Sequence, residues 1–447
     1  MSAWTTFPFP FAPKAEQGLL HHLVKVGTDV SVVVSGAAAE TSCKSVDPWS
    51  ASSRTELTLH VMPVPAERGL PLDSALARGL AAAGELGLTP RFTPLLDANP
   101  GSWQCTLSCT GVHSPAASGL GRGDRETARV GALFEALEHY LSGLDGLRNR
   151  QVRLRDAHAV ANGPLASDPL IAKLAEGPAR ELGCVRYQAL DGSADVDVPV
   201  FLTIPEYRGE QGESARLTIE DFYDYSAAGS CVEAAGWAAG SYAAEALVHA
   251  VNESVERDAV AQLIADQVVG DRSRALRVVD PATLPDDLAD LLITAADRCG
   301  RSVHLIDMTS DLDIPAYYAF QAPEPGGRPA AAGSAAALSS RVAAGRALTE
   351  LIQFQTTVVD RQLPNLACRL PDAAEVGFVQ TCAPATPRQH LDVLVEMLHG
   401  KGFTPYAREQ YSTRNLAVVN VFVPGLDRST DCRRLRVSRR RAQAPTG

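Results

Sequence analysis

The sequence predicts an α+β fold built from repeated αββ units, with long helices over mostly antiparallel sheet. Three observations carry that expectation. A helix–glycine–strand–turn–strand pattern occurs three times, at Leu72 to Leu96, Asp286 to Ala319 and Gln389 to Val423. Apolar residues in three other stretches recur at three- and four-residue spacing, marking long amphipathic helices near 126–144, 240–258 and 339–359. The apolar content of 45% and charged content of 21% are those of a soluble globular chain.

The totals also exclude several classes. At 447 residues the chain suffices for one large domain or two to three ordinary ones. The net charge of -11 argues against a general nucleic-acid binder. No apolar run approaches the roughly 18 residues of a membrane span, and Met1 to Leu20 lacks a basic segment followed by an apolar core. A cytoplasmic protein is expected. The nine cysteines include no C-x-x-C, which disfavours a zinc knuckle or a disulfide framework. Five lysines stand against 36 arginines, and none of the five lies in a charge-rich helix, so phosphate recognition would fall to arginine.

In chain order, Phe7-Pro8-Phe9-Pro10-Phe11 should be extended, and short apolar runs at 30–34 and 57–63 read as strands. Leu72 to Leu88 reads as a helix ended at Gly87, followed by the strand Thr89 to Leu96. Next comes Ser118-Gly119-Leu120-Gly121-Arg122-Gly123-Asp124, whose alternating glycines would let backbone N–H groups approach an anion at the start of a helix. That helix, Glu126 to Leu144, buries Val130, Leu133, Phe134, Leu137 and Leu141 and leaves Glu135 and Glu138 off the apolar stripe, with His139 beside them.

Pro205 to Ser214 reads as a polar loop. The stretch Gly240 to Asp258 follows, with Leu247, Val248, Val251 and Val255 on one side and Glu245, His249, Asn252, Glu253, Glu256 and Arg257 on another. Carboxylates gathered on one side repel each other unless a cation sits among them. Asp286 to Arg298 and Gln389 to Leu398 are the remaining αββ helices, stopped by Gly300 and by Gly400 and Gly402. Gln321 to Gly333 reads as a connection or a flap over a ligand, just ahead of the helix Ser339 to Val359. There Arg346 and Glu350 lie one turn apart in the order that supports a helix less well, and Gln353 continues the same side. The tail from Arg428 to Arg441 holds seven arginines and reads as disordered.

Hard carboxylate oxygens suit Mg²⁺, and fixed arginines suit phosphate. Three charge-bearing helices together point to a nucleotide site without a P-loop. Solvated helix faces remain the alternative reading.

The segments S-G-L-G-R-G-D-x-E-T-A-x-x-x-A-L-F-E-A-L-E-H-Y, G-W-A-A-G-S-Y-A-A-E-A-L-x-H-A-V-N-E-S-V-E-R-D-A and A-G-R-A-L-T-E-L-I-Q resemble the three nucleotide motifs of the YcaO family. Asp307-Met308-Thr309-Ser310-Asp311-Leu312-Asp313-Ile314-Pro315 is similar to that family's D-L-T-x-D-x-G-I-P element, and Val423-Pro424-Gly425-Leu426 to its late P-G-L. The resemblance implies a YcaO-like ATP-binding domain over 85–427, preceded by a variable region, 1–84, and followed by the arginine-rich tail, 428–447. It implies an ATP- and Mg²⁺-dependent enzyme that activates a peptide amide oxygen as a phosphoryl leaving group, most plausibly an azoline-forming cyclodehydratase acting on Cys, Ser or Thr of a ribosomally made peptide.

By position, the resemblance assigns Mg²⁺ to Glu135, Glu138, Glu245, Glu253 and Glu256, and completes the nucleotide cradle with Arg122, Ser241, Arg257, Arg346 and Glu350. The implied partners are a precursor peptide and a leader-binding or other protein; a homodimer is left open. Gly131, His139, Arg122, Ala234-Ala235 and Ser241 depart from the usual Ser, Arg, Lys, Ser-Asn and Asn of the family. These departures leave two alternatives: thioamide or amidine formation by the same activation, and a non-catalytic scaffold that binds a peptide or partner.

Overall fold

The computed structural model describes residues 67–428 apart from 110, 112–113, 148–150, 229–234, 270–273, 322–330 and 355–365. The aromatic-proline segment, the strands expected at 30–34 and 57–63, the body of the 321–333 connection and the tail beyond Arg428 lie outside these residues.

The three αββ repeats are present. The first is helix α1 (Leu72–Glu85) with strands β1 (Leu88–Leu96) and β2 (Gly101–Cys109), to which β3 (Ala117–Gly123) adds on β2 and leads into helix α2 (Arg125–Leu141). Strands β4 (Val152–Asp156), β5 (Glu181–Ala189) and β6 (Asp195–Pro199) follow, then β7 (Trp237–Gly240), helix α3 (Ala243–Ile264) and β8 (Arg277–Val279). The second repeat is α4 (Asp286–Cys299), β9 (Val303–Asp307) and β10 (Ala316–Gln321), continued by β11 (Ala332–Ala336) and helix α5 (Ser340–Phe354). After β12 (Ala374–Val376), the third is α6 (Pro387–Gly400), β13 (Tyr406–Ser412) and β14 (Ala417–Phe422). In each repeat a glycine at positive φ turns the chain out of the helix: Gly87 at 71°, Gly300 at 65° and Gly402 at 82°. A side chain there would cost about 1 kcal/mol, which is why the sequence signal is so regular.

Three sheets result. Their orders are β1-β2-β3, then β11-β10-β9-β8-β12, then β4-β5-β13-β14-β7 with β6 on β5. Pairing is antiparallel throughout except between β8 and β12. The α+β expectation, with long helices over mostly antiparallel sheet, is met.

A deeper regularity appears in three dimensions. Sheet β1-β2-β3 carries α2 after its third strand, and β9-β10-β11 carries α5. The set β13-β14-β7 carries α3, but β7 and α3 come from the middle of the chain, ahead of the two strands they complete. In all three, a glycine on the third strand lets the helix backbone approach. A Cβ at Gly121 would overlap the Ala128 carbonyl of α2, one at Gly240 would crowd the Ala246 N–H of α3, and one at Gly333 would overlap the Ala347 carbonyl of α5. Packed interiors leave no room for that extra atom.

The core forms along these interfaces. Val130, Leu133, Phe134 and Leu137 of α2 are buried beside Trp103, Cys105 and Leu107 of β2. Leu247, Val248, Val251 and Val255 of α3 pack with Val419 and Val421 of β14. Ala343, Ala347, Leu348 and Leu351 of α5 pack with Tyr317 and Ala319 of β10. Each helix thereby buries one stripe and holds its charged side chains at the edge of that interface.

Candidate functional site

The glutamates are fixed by strand amides. The Leu120 N–H of β3 donates to Glu135 at 3.0 Å, and the Ser334 N–H of β11 donates to Glu350 at 3.0 Å. The Ser241 N–H beyond β7 donates to Glu245 at 3.1 Å, and the Gly236 N–H donates to Glu253. Such charge-assisted bonds hold a carboxylate without neutralising it.

The three helices also interlock in a ring. On α2, Glu138 accepts from the Ala239 N–H of β7. On α3, Glu256 accepts from the Ser334 hydroxyl of β11 at 2.6 Å. On α5, Glu350 lies 3.5 Å from Arg122 of β3, which also reaches Gln353 at 3.4 Å. Each carboxylate thus meets the third strand of the neighbouring unit, and the circuit closes. All ten residues assigned from the sequence lie on this ring or beside it: Arg257 pairs with Glu253 at 3.5 Å, and Arg346 stands one turn before Glu350 on α5.

The glutamates of the ring raise one another's carboxyl pKa values. Burial, with Glu350 as the next contributor, pushes the Glu256 carboxyl up to about 7. Burial raises Glu138 well above the ordinary range, with Glu253 and Glu135 adding to it. It raises Glu253 against the pull of Arg257, Glu135 against that of His139, and Glu245 against that of Arg68. Half-buried carboxylates that face one another favour either a proton or a metal ion. The His249 side chain, exposed on α3, is held below its ordinary range by the protein enclosing it and then by Arg346, Arg68 and Arg122.

One buried polar atom at this site, Asn252 Oδ1, has no hydrogen-bond partner among the described residues. Buried groups of that kind call for a ligand or water. No three His, Cys, Asp or Glu side chains among the described residues form a ready-made metal cage. Mg²⁺ is commonly held by one or two carboxylates together with phosphate oxygens and waters, so this donor set fits a metal shared with a nucleotide.

Two readings of the sequence need revision. Gly119 and Gly121 do not cradle an anion: they face α2, and the Leu120 N–H between them is taken by Glu135. The start of α2 is capped by Asp124, which accepts from the Glu126 and Thr127 N–H groups. His139 donates from Nδ1 to the Ser118 carbonyl at 2.7 Å and stands 3.9 Å from Glu135.

The sequence reading also missed three residues. Glu67 pairs with Arg346 at 2.6 Å, Arg68 sits among Glu245, Glu67 and Asp124, and Arg78 of α1 donates to the Ser241 carbonyl at 3.3 Å. Glu67 and Arg68 lie just before α1 and Arg78 within it, with no motif around them, so only the fold brings them to the site.

A family model described as YcaO cyclodehydratase, ATP- and Mg²⁺-binding, matches residues 119–427. An uncharacterised protein from the tfuA 3′ region of Rhizobium leguminosarum bv. trifolii is 26% identical over 350 residues, 68% of this chain and 75% of that protein. Among solved structures, a heterocyclase in complex with substrate and cofactor superposes with a TM-score of 0.60 at 17% identity, covering 81% of this chain. The match spans 53% of that heterocyclase, about half its length. YcaO from Methanopyrus kandleri, bound with AMPPCP and Mg²⁺, superposes with a TM-score of 0.58 at 16% identity, over 80% of this chain and 92% of that one. These likenesses match the fold described above.

Proposed function

Because the chain belongs to the YcaO family, we propose that it is an enzyme that uses ATP and Mg²⁺ to modify a peptide-backbone amide. The observation that carries this reading is the closed ring of α2, α3 and α5, which gathers five raised carboxylates beside Arg122, Arg257 and Arg346. ATP would supply the phosphoryl group that converts the amide oxygen into a leaving group, and Mg²⁺ would neutralise phosphate charge.

The chain's own residues would do the rest. Glu135, Glu138, Glu245, Glu253 and Glu256 hold cations, with the strand amides and Ser334 fixing their directions. Arg122, Arg257 and Arg346 turn toward phosphate oxygens, and preorganised charge of this kind lowers a barrier without reorganising during the reaction. The finer reading is azoline formation. The Cys, Ser or Thr side chain of the peptide attacks the preceding amide carbon, the amide oxygen departs on phosphate, and ADP, phosphate and the cyclised peptide remain. The nucleophile belongs to the substrate, so the chain needs none. Thioamide or amidine formation uses the same activation with a different nucleophile. The peptide is a ribosomally made precursor, delivered by a partner protein.

One observation favours a second reading, a non-catalytic scaffold: each of the three arginines already sits against a carboxylate of this chain. Calorimetry of Mg·ATP with the unaltered protein and Glu135→Gln separates the two. An enzyme binds Mg·ATP and loses at least about tenfold in affinity on the substitution. A scaffold binds it in neither form.

A further inference from the structure

The segment just before α1 enters the site and contributes a carboxylate where a phosphate-binding arginine stands. Glu67 is 5% exposed, lies 2.6 Å from Arg346 and accepts from Asn252 Nδ2 at 3.4 Å. It therefore ties α5 to α3 across the ring. Its neighbour Arg68 is surrounded by Glu245, Glu67 and Asp124. Gly69 lies flat against Tyr242 at the start of α3, so close that a Cβ there would overlap the tyrosine hydroxyl. Three consecutive residues thus dock onto the charged side chains of the site.

We propose that Glu67 is an internal occupant of the nucleotide site, an autoinhibitory contact whose carboxylate holds Arg346 until a polyphosphate displaces it. This rests on the reading of the site as an Mg·ATP site. The chemistry is that of substitution. A carboxylate and a phosphate both offer two oxygens to the planar guanidinium fork, and one Arg346 fork cannot hold both in full. A polyphosphate, with several charged oxygens, can compete with the single Glu67 carboxylate for that fork. The Asn252 amide, released at the same moment, becomes free for the incoming group. Glu67 would then raise the concentration of Mg·ATP needed for occupancy and keep the arginines from capturing other anions.

The test is Mg·ATP titration by calorimetry of the full chain and of Glu67→Gln, which keeps the shape and removes the charge. The expected result is binding about tenfold tighter in the variant. Unchanged or weaker binding in Glu67→Gln, with the unaltered protein binding normally, overturns the proposal and leaves Glu67 as a positioning group. Binding in neither form overturns the Mg·ATP reading itself, and the proposal falls with it. Hydrogen exchange on the unaltered protein checks the same point without a substitution. Amides 67–70 should exchange faster when Mg·ATP is added, and greater protection there would overturn the displacement.

Discussion

Glu256 is the residue on which the charge argument concentrates. It bonds to Ser334, faces Glu350, and its carboxyl sits at about 7. A folded-state value above the unfolded one means that the native chain binds protons more tightly. Stability from this group is therefore fully present below the unfolded value near 4.5 and is lost as pH rises through about 7. Glu135, Glu138, Glu245 and Glu253 shift in the same direction. Without added metal, the melting temperature should fall from pH 6 to pH 8, and millimolar Mg²⁺ should flatten that slope. Glu256→Gln should make the slope shallower while leaving the melting temperature at pH 8 unchanged or higher. An unaltered slope in scanning fluorimetry of that variant would sink the assignment. The same substitution should abolish ATP-dependent product formation, since it removes one cation-holding carboxylate.

At the level of elements, the third strands matter more than their length implies. β7 has four residues and β11 five, yet each supplies amides or hydroxyls to the glutamates and a glycine to the helix packing. Gly121→Ala should push α2 away from β3, costing roughly 1–3 kcal/mol, and should weaken nucleotide binding through Glu135. Gly300→Ala makes the comparison: strain at positive φ costs about 1 kcal/mol, while binding should stay intact because a Cβ there would meet no atom within 4 Å. Equal loss of binding in the two variants would show that the strand–helix approach has no special role.

The αββ units were legible because helix stops, glycine and alternation are local signals. The carboxylates were legible as unpaired charge on long helices. Glu67, Arg68 and Arg78 were not, because their meaning depends on a contact 279 residues away in the case of Glu67 and Arg346. The glycines of β3 were visible but misread: backbone approach to a helix and to an anion need the same residue type.

In the whole molecule, three strand–helix units close a circuit through Glu138, Glu256 and Glu350. A ligand bound at the centre would touch all three, so Mg·ATP at a hundredfold excess over Kd should add about 2.7 kcal/mol of stability and raise the melting temperature in a single transition. Separate unfolding of one unit in the presence of ligand would contradict the closed arrangement. One of the units is stitched together out of order, with β7 waiting for β14, its neighbour in the sheet but about 180 positions later in the chain. A growing polypeptide leaves the ribosome from its amino end, so β7 and α3 emerge long before their partner. Until residues 417–422 arrive, the short strand under α3 lacks its sheet partner, and the three helices cannot be locked to each other. The proposed nucleotide site is in this sense a late product of translation. A nascent or prematurely terminated chain would hold the acidic residues without the architecture that makes them act together.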